Sequence, residues 1–206
     1  MRSIPLRDTP STYGFVSRLL HALVAGLMLA NWLLGMIGGE DGEGGALAEL
    51  HASLGLLALP LALFWILWRL VNPKPRIPGD GTLLRGLAHF THAGLMALAL
   101  LLPASGLADT LAAGRPVRFF GLELVPARSV AGQRMMLREW AEGDEEEWEE
   151  AFGEGPEEAG ESLWGELHAT LAAPVFVLFF ALHLLGVLKQ QLWDRRPVMR
   201  RIFAAP

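Results

Sequence analysis

The chain has 206 residues, 52% hydrophobic and 19% charged, with a mean hydropathy of +0.34 and a net charge of −5. That charge content is below the roughly 25% of an average soluble domain, and the charges are segregated from long apolar blocks. The absence of cysteine excludes disulfides, thiolate metal sites, cysteine-held iron–sulfur clusters and haem attached through C-x-x-C-H, and the acidic balance argues against a nucleic-acid partner.

A spanning helix needs about 20 mostly apolar residues. Four stretches meet that requirement without a single Asp, Glu, Lys or Arg: Leu19–Gly39, Leu50–Trp68, Gly86–Ala108 and Leu167–Leu188. With their flanks they predict helices over about 16–38, 48–70, 86–108 and 165–189. The expected fold is all-α: an integral membrane four-helix bundle forming one domain over 1–206. Pro60, Pro103 and Pro174 fall inside spans, where membrane helices tolerate them. The first apolar run is too long for a signal-peptide core and its exit lacks an A-x-A pattern, so it reads as a retained helix.

Loop charge sets the orientation. The termini and the second loop hold 12 of the 17 basic residues against Asp8, Asp80 and Asp194, a charge of +9. The first and third loops hold Arg115, Arg118, Arg128, Arg134 and Arg138 against 19 acidic residues, a charge of −14. Both termini are therefore expected in the cytoplasm. The long loop 109–164 faces outward and concentrates its acid between Glu139 and Glu166. That run reads either as a solvated face or as a docking surface for a basic partner. Ser129–Trp140 and Glu145–Phe152 look like short surface helices, with Phe119, Phe120, Met135, Met136, Trp140, Trp148 and Trp164 at the membrane interface. Asn72–Pro78 reads as a stiff connector, and the basic tail after Trp193 fits an anionic lipid surface.

All six histidines, His21, His51, His89, His92, His168 and His183, fall inside predicted spans. Ionisable residues there are expensive and usually functional. The topology sorts four of them into two levels. His51 and His168 start the second and fourth spans at the outer face; His21 and His183 lie toward the cytoplasmic face. His183 follows His168 by 15 residues, about 22 Å along a helix, with a residual rotation of about 60°. Two facing histidines inside a bundle suit one low-spin haem iron, and without cysteine the haem would be b-type and non-covalent. Gly26, Gly55 and Gly186 would let a flat ring approach the backbone. Arg18, Arg69 or Lys189 would pair with propionates on the cytoplasmic side. A zinc site using Glu49 and Glu166 beside the outer histidines, or histidines with no cofactor, remain as alternatives. His89 and His92 share one face of the third helix as alternative ligands, quinone contacts, proton carriers or packing groups.

Taken together, several segments resemble the bacterial cytochrome b561 family. They are Tyr13 to His21, Leu50-His51 to Arg69, Asn72 to Pro78, Gly86 to His92, Leu102 to Leu107, Gly114-Arg115-Pro116 with Phe120-Gly121-Leu122, and Leu167-His168 with His183. The resemblance covers most of the chain apart from the acidic stretch near 139–162. It implies two b haems on His21, His51, His168 and His183, and it places the family's paired third-helix histidines on His89 and His92. It also implies transmembrane electron transfer with a quinone such as ubiquinone. A periplasmic carrier such as cytochrome c would be the partner that fits the acidic run. Some members are similar to superoxide oxidases, which would make the chain a superoxide:ubiquinone oxidoreductase; whether it is an enzyme in that sense stays open. The family's relation to the cytochrome b subunits of nickel–iron hydrogenases adds a membrane-anchor subunit as a further alternative. A homodimer is left open as well.

Overall fold

The computed structural model describes residues 5–10, 12–38, 45–72, 75, 81–127 and 162–195. The expected surface helices Ser129–Trp140 and Glu145–Phe152, most of the acidic stretch and nearly all of the basic tail lie outside the described residues, as does most of the proline-rich connector.

Four long helices cross the molecule: α1 Phe15–Gly38, α2 Ala46–Val71, α3 Thr82–Ala112 and α4 Leu163–Trp193. Each is long and apolar enough to span a membrane. Each also overruns its predicted span at one or both ends, because the helical backbone hydrogen bonds continue past the apolar pattern into polar flanks. At 31 residues α3 is about 46 Å long against a hydrocarbon core of about 30 Å, so its ends reach beyond the apolar layer.

Consecutive helices pack antiparallel, α1 on α2, α2 on α3 and α3 on α4. Most of the residues buried between them are small, Ser17, Ser53, Ala58, Ala62, Thr91, Ala99 and Ser105, beside the larger Leu20, Val24, Leu98 and Phe176. Small side chains let helix backbones approach closely where lipid supplies no hydrophobic drive. Val24, Ala62 and Ala99 form the centre, with Met28, Leu61 and Trp65 packed around it. Leu70, Leu83, Phe90, Leu101, Leu178 and Leu185 remain exposed, an apolar exterior that requires lipid rather than water. Gly94 admits the Phe179 ring onto α3, since a Cβ there would run into the edge of that ring.

Two local features depart from four plain helices. First, α4 is α-helical over Leu163–Thr170 and Phe176–Leu188 but passes through π turns at Leu171–Val175 and Lys189–Trp193. Pro174, which has no N–H to donate, lies in the first π turn. Second, a hairpin of β1 (Val117–Phe119) and β2 (Leu122–Val125) follows α3. The all-α expectation missed it because each strand is only three or four residues long. Its turn is Phe120-Gly121, both at positive φ (47° and 83°), the backbone that two-residue hairpins require. The Phe120 N–H donates to Ser53 Oγ at 2.9 Å, and Val117 is buried, so the hairpin is fixed to α2.

The opposite end carries the basic residues of the described helices, and there residues 5–14 fold back over α1. The Phe15 and Val16 N–H groups donate to the carbonyls of Pro5 and Leu6. Asp8 accepts from the Gly14 N–H at 2.7 Å and from Ser17 Oγ at 2.8 Å. These bonds satisfy amides that a helix start leaves without partners.

Candidate haem sites

At the hairpin end, His51 sits near the start of α2 and His168 near the start of α4. Their ring centres are 6.0 Å apart and their planes nearly perpendicular, at 88°. Each ring is anchored through Nδ1. His51 Nδ1 bonds the Asn31 carbonyl on α1 at 3.0 Å, and His168 Nδ1 bonds the Leu102 carbonyl on α3 at 2.9 Å, with Ser105 Oγ 3.1 Å away. A carbonyl only accepts, so Nδ1 carries the proton in both rings and Nε2 is left with its lone pair. This is the arrangement by which proteins orient metal-binding imidazoles. Glycines make room for the rings: a Cβ on Gly35 would lie 3.2 Å from His51 Cε1, and one on Gly106 3.1 Å from His168 Cε1.

Both rings face a cavity of about 450 Å³, within the range of cofactor pockets. Leu27, Met28, Trp32, Leu56 and Leu107 give it apolar walls, while Asp109, Arg115 and Arg118 supply charge at its hairpin side. Arg115 Nη2 lies 2.5 Å from Asp109 Oδ2, and Asp109 also accepts from Ser162 Oγ, the residue that caps α4. The network ties the end of α3 to the start of α4, six residues before His168.

At the basic end, His21 on α1 and His183 on α4 have ring centres 6.5 Å apart. Trp65 lies edge-on to His21 at 6.0 Å. His21 Nδ1 is buried and makes no hydrogen bond to any described residue. His92 on α3 joins this group, its ring 5.0 Å from His183 and nearly perpendicular to it.

These spacings can be compared with what a bis-imidazole metal centre needs. Metal–imidazole bonds of about 2 Å, with just over an ångström from nitrogen to ring centre on either side, place the ring centres roughly 6 Å apart. The His51–His168 and His21–His183 pairs meet that spacing; His92–His183 is too short to hold an ion between its rings. The π turn in α4 helps to aim both α4 histidines inward. An i→i+5 turn rotates less per residue than an α turn, so the 60° offset of a regular helix shrinks to roughly 30° of opposite sign.

The profile of the prokaryotic cytochrome b561 family matches residues 12–205, nearly the whole chain.

The chain belongs to the prokaryotic cytochrome b561 family.

It is similar to cytochrome b561 homolog 2 of Escherichia coli (strain K12), 31% identical over 125 residues, covering 58% of this chain and 66% of that relative. The chain thus spans slightly less than two thirds of that relative's length. Membership and the four apolar spans make it a multi-pass membrane protein.

The other residues singled out in the sequence fall as follows in this family member. Arg18 bonds the Tyr13 carbonyl and Thr12 Oγ1. Arg69 lies over the Tyr13 ring, 5.3 Å from its centre, and 3.8 Å from Asp8 Oδ2. Lys189 pairs with Asp194 at 2.8 Å. All three basic side chains thus have protein partners at the basic end. His89, exposed, bonds the Arg85 carbonyl through Nδ1, as His92 bonds that of Ala88. Gly55 borders the cavity, whereas a Cβ on Gly26 or Gly186 would meet nothing within 4 Å, so those two do not hold a neighbour close. Glu49 lines the cavity, but among the described residues no group of three or more His, Asp or Glu is arranged to hold a metal ion. That removes the ligand set the zinc alternative needs.

Sequence reasoning missed Asn31, Gly35, Ser105, Gly106 and Trp65. A polar amide in an apolar span was a usable signal for Asn31. The glycines had none, because their importance lies in which ring passes beside them.

Proposed function

We propose that the chain holds two b haems, one between His51 and His168 and the other between His21 and His183, and links a quinone pool to a redox partner on the far side of the membrane. The reading is carried by one observation: two facing histidine pairs, 6.0 and 6.5 Å between ring centres, at opposite ends of one bundle. When bound, such haems supply one-electron carriers at two depths of the bilayer. The protein's part is to present four Nε2 atoms, to keep water out with apolar walls and to hold the rings still. His89 and His92, with Nδ1 committed to their own helix, offer Nε2 to a quinone headgroup at the basic end.

By the charge asymmetry of the loops, the basic end faces the cytoplasm of a bacterial inner membrane and the hairpin end the periplasm. The acidic run Asp144–Glu150 favours a basic carrier, such as a cytochrome c, as the periplasmic partner.

A second reading, superoxide:ubiquinone oxidoreductase, is favoured by Arg115 and Arg118 at the hairpin side of the cavity, where they would draw a small anion despite the −14 loop charge. Stopped-flow mixing with superoxide decides between them. Rapid haem reduction that slows with ionic strength and on Arg118→Gln supports the enzyme; reduction no faster than by bulk reductants removes it.

The ligand assignment is tested by a pyridine haemochrome count and reduced-minus-oxidised spectra of the purified protein and its alanine variants. Two b haems per chain are expected. His51→Ala or His168→Ala removes one component and leaves the other; His21→Ala or His183→Ala does the reverse. Loss of a component in His89→Ala would overturn the pairing, and absence of haem from protein made with ample haem would overturn the whole reading.

A further inference from the structure

Asn31 lies in the apolar interior of α1 and touches α2 at three points. Its carbonyl accepts a hydrogen bond from His51 Nδ1–H at 3.0 Å. Its side-chain amide, oriented to match donors with acceptors, donates to the His51 carbonyl at 3.0 Å and accepts from the Gly55 N–H at 2.9 Å. The His51 carbonyl and the Gly55 N–H, four residues apart, are the two ends of one rung of the α2 ladder. One asparagine therefore holds both the backbone and the imidazole of His51 against α1.

The surroundings are shaped to this contact. A Cβ on Gly55 would lie 3.3 Å from Asn31 Nδ2, so a larger residue would push the amide away. Gly35, one turn beyond Asn31 on the same face of α1, gives the His51 ring its space. An amide is costly in an apolar span unless its donors and acceptor are bonded, and here Nδ2 and Oδ1 each have a backbone partner.

We propose that Asn31 is a positioning residue for the hairpin-end haem: its amide fixes the register of α2 at His51 so that the Nδ1–H to Asn31 carbonyl bond stays short and Nε2 stays aimed into the cavity. The proposal rests on the reading of His51 as a ligand. Bonds of this type raise imidazole basicity and favour the oxidised metal, and losing such a partner weakens metal affinity about 10–100-fold.

The test uses the full-length haem-loaded protein in detergent, with redox titration, low-temperature EPR of the oxidised low-spin haems and a haem count. In Asn31→Leu, the component that His51→Ala abolishes should shift upward in potential and change its g values. A tenfold fall in the preference for oxidised over reduced haem reads as about 59 mV. The other component should stay in place, and Asn31→Gln, which keeps an amide, should restore part of the shift. Should Asn31→Leu yield no haem-loaded protein, Gly55→Ala supplies the milder displacement and should move the same component in the same direction. Unchanged spectra and potentials, or equal movement of both components, overturn the positioning role. If His51→Ala strips one component and Asn31→Leu or Gly55→Ala moves neither, the positioning role alone falls. If His51→Ala keeps both components, the ligand reading falls and takes the proposal with it.

Discussion

Gly106→Ala is a one-carbon perturbation whose effect can be worked from the structure. The added Cβ would stand 3.1 Å from His168 Cε1 and 3.2 Å from Nδ1, tighter than the 3.4–4 Å of ordinary contact. The ring must therefore move by a few tenths of an ångström. It is not free to do so, because Nδ1 is bonded to the Leu102 carbonyl at 2.9 Å and lies 3.1 Å from Ser105 Oγ. Overpacking of this kind costs about 1–3 kcal/mol, and disturbing the anchor of a metal-binding imidazole weakens the site about 10–100-fold, or about 1.4–2.7 kcal/mol. The two estimates agree. Gly26→Ala is the matched control: nothing lies within 4 Å of the new carbon, and alanine should stabilise a helix interior by about 0.5–1 kcal/mol. The assay is haem transfer to an excess of a haem-scavenging apoprotein, followed by the loss of each spectral component. Gly106→Ala should release the component assigned to His51 and His168 at least tenfold more readily than Gly26→Ala does. Equal release from both variants would refute the idea that Gly106 makes the room the His168 ring needs at the proposed haem site.

Gly94→Ala should lower thermal stability by about 1–3 kcal/mol, because the Phe179 ring occupies the place of the new Cβ; an unchanged melting temperature would show that the ring can leave without penalty. Asp8→Ala should be destabilising by about 2–4 kcal/mol, through the loss of buried charge-assisted bonds to the Gly14 N–H and Ser17 Oγ, and circular dichroism melts would read it. Ser53→Ala should loosen the hairpin by about 1 kcal/mol, seen as faster amide exchange at Phe120, while the helices keep their protection.

Much of this architecture is legible in one dimension. A membrane helix must satisfy its own backbone and face lipid, so length and apolarity alone mark the four spans. Asymmetric loop charge supports an orientation, and the order of histidines along antiparallel spans is enough to sort them into two levels. Those features depend on distances along a helix axis, which sequence spacing supplies directly. Contacts around the axis do not follow from spacing. Whether His92 meets His183, whether Gly35 and Gly106 face imidazoles, and whether Asn31 reaches the His51–Gly55 rung all depend on how each helix is rotated against its neighbours. Interhelix packing and the π turn at Leu171–Val175 set that rotation. The hairpin was hidden for a similar reason. Three- and four-residue strands carry too little periodicity to be read, and their place on α2 comes from a hydrogen bond to Ser53, far away in the chain, and the burial of Val117. Spacing along the chain is enough for the spans and the axial order of the histidines, whereas which small residues hold those histidines in place depends on side chains meeting across helices and is visible only in the folded bundle.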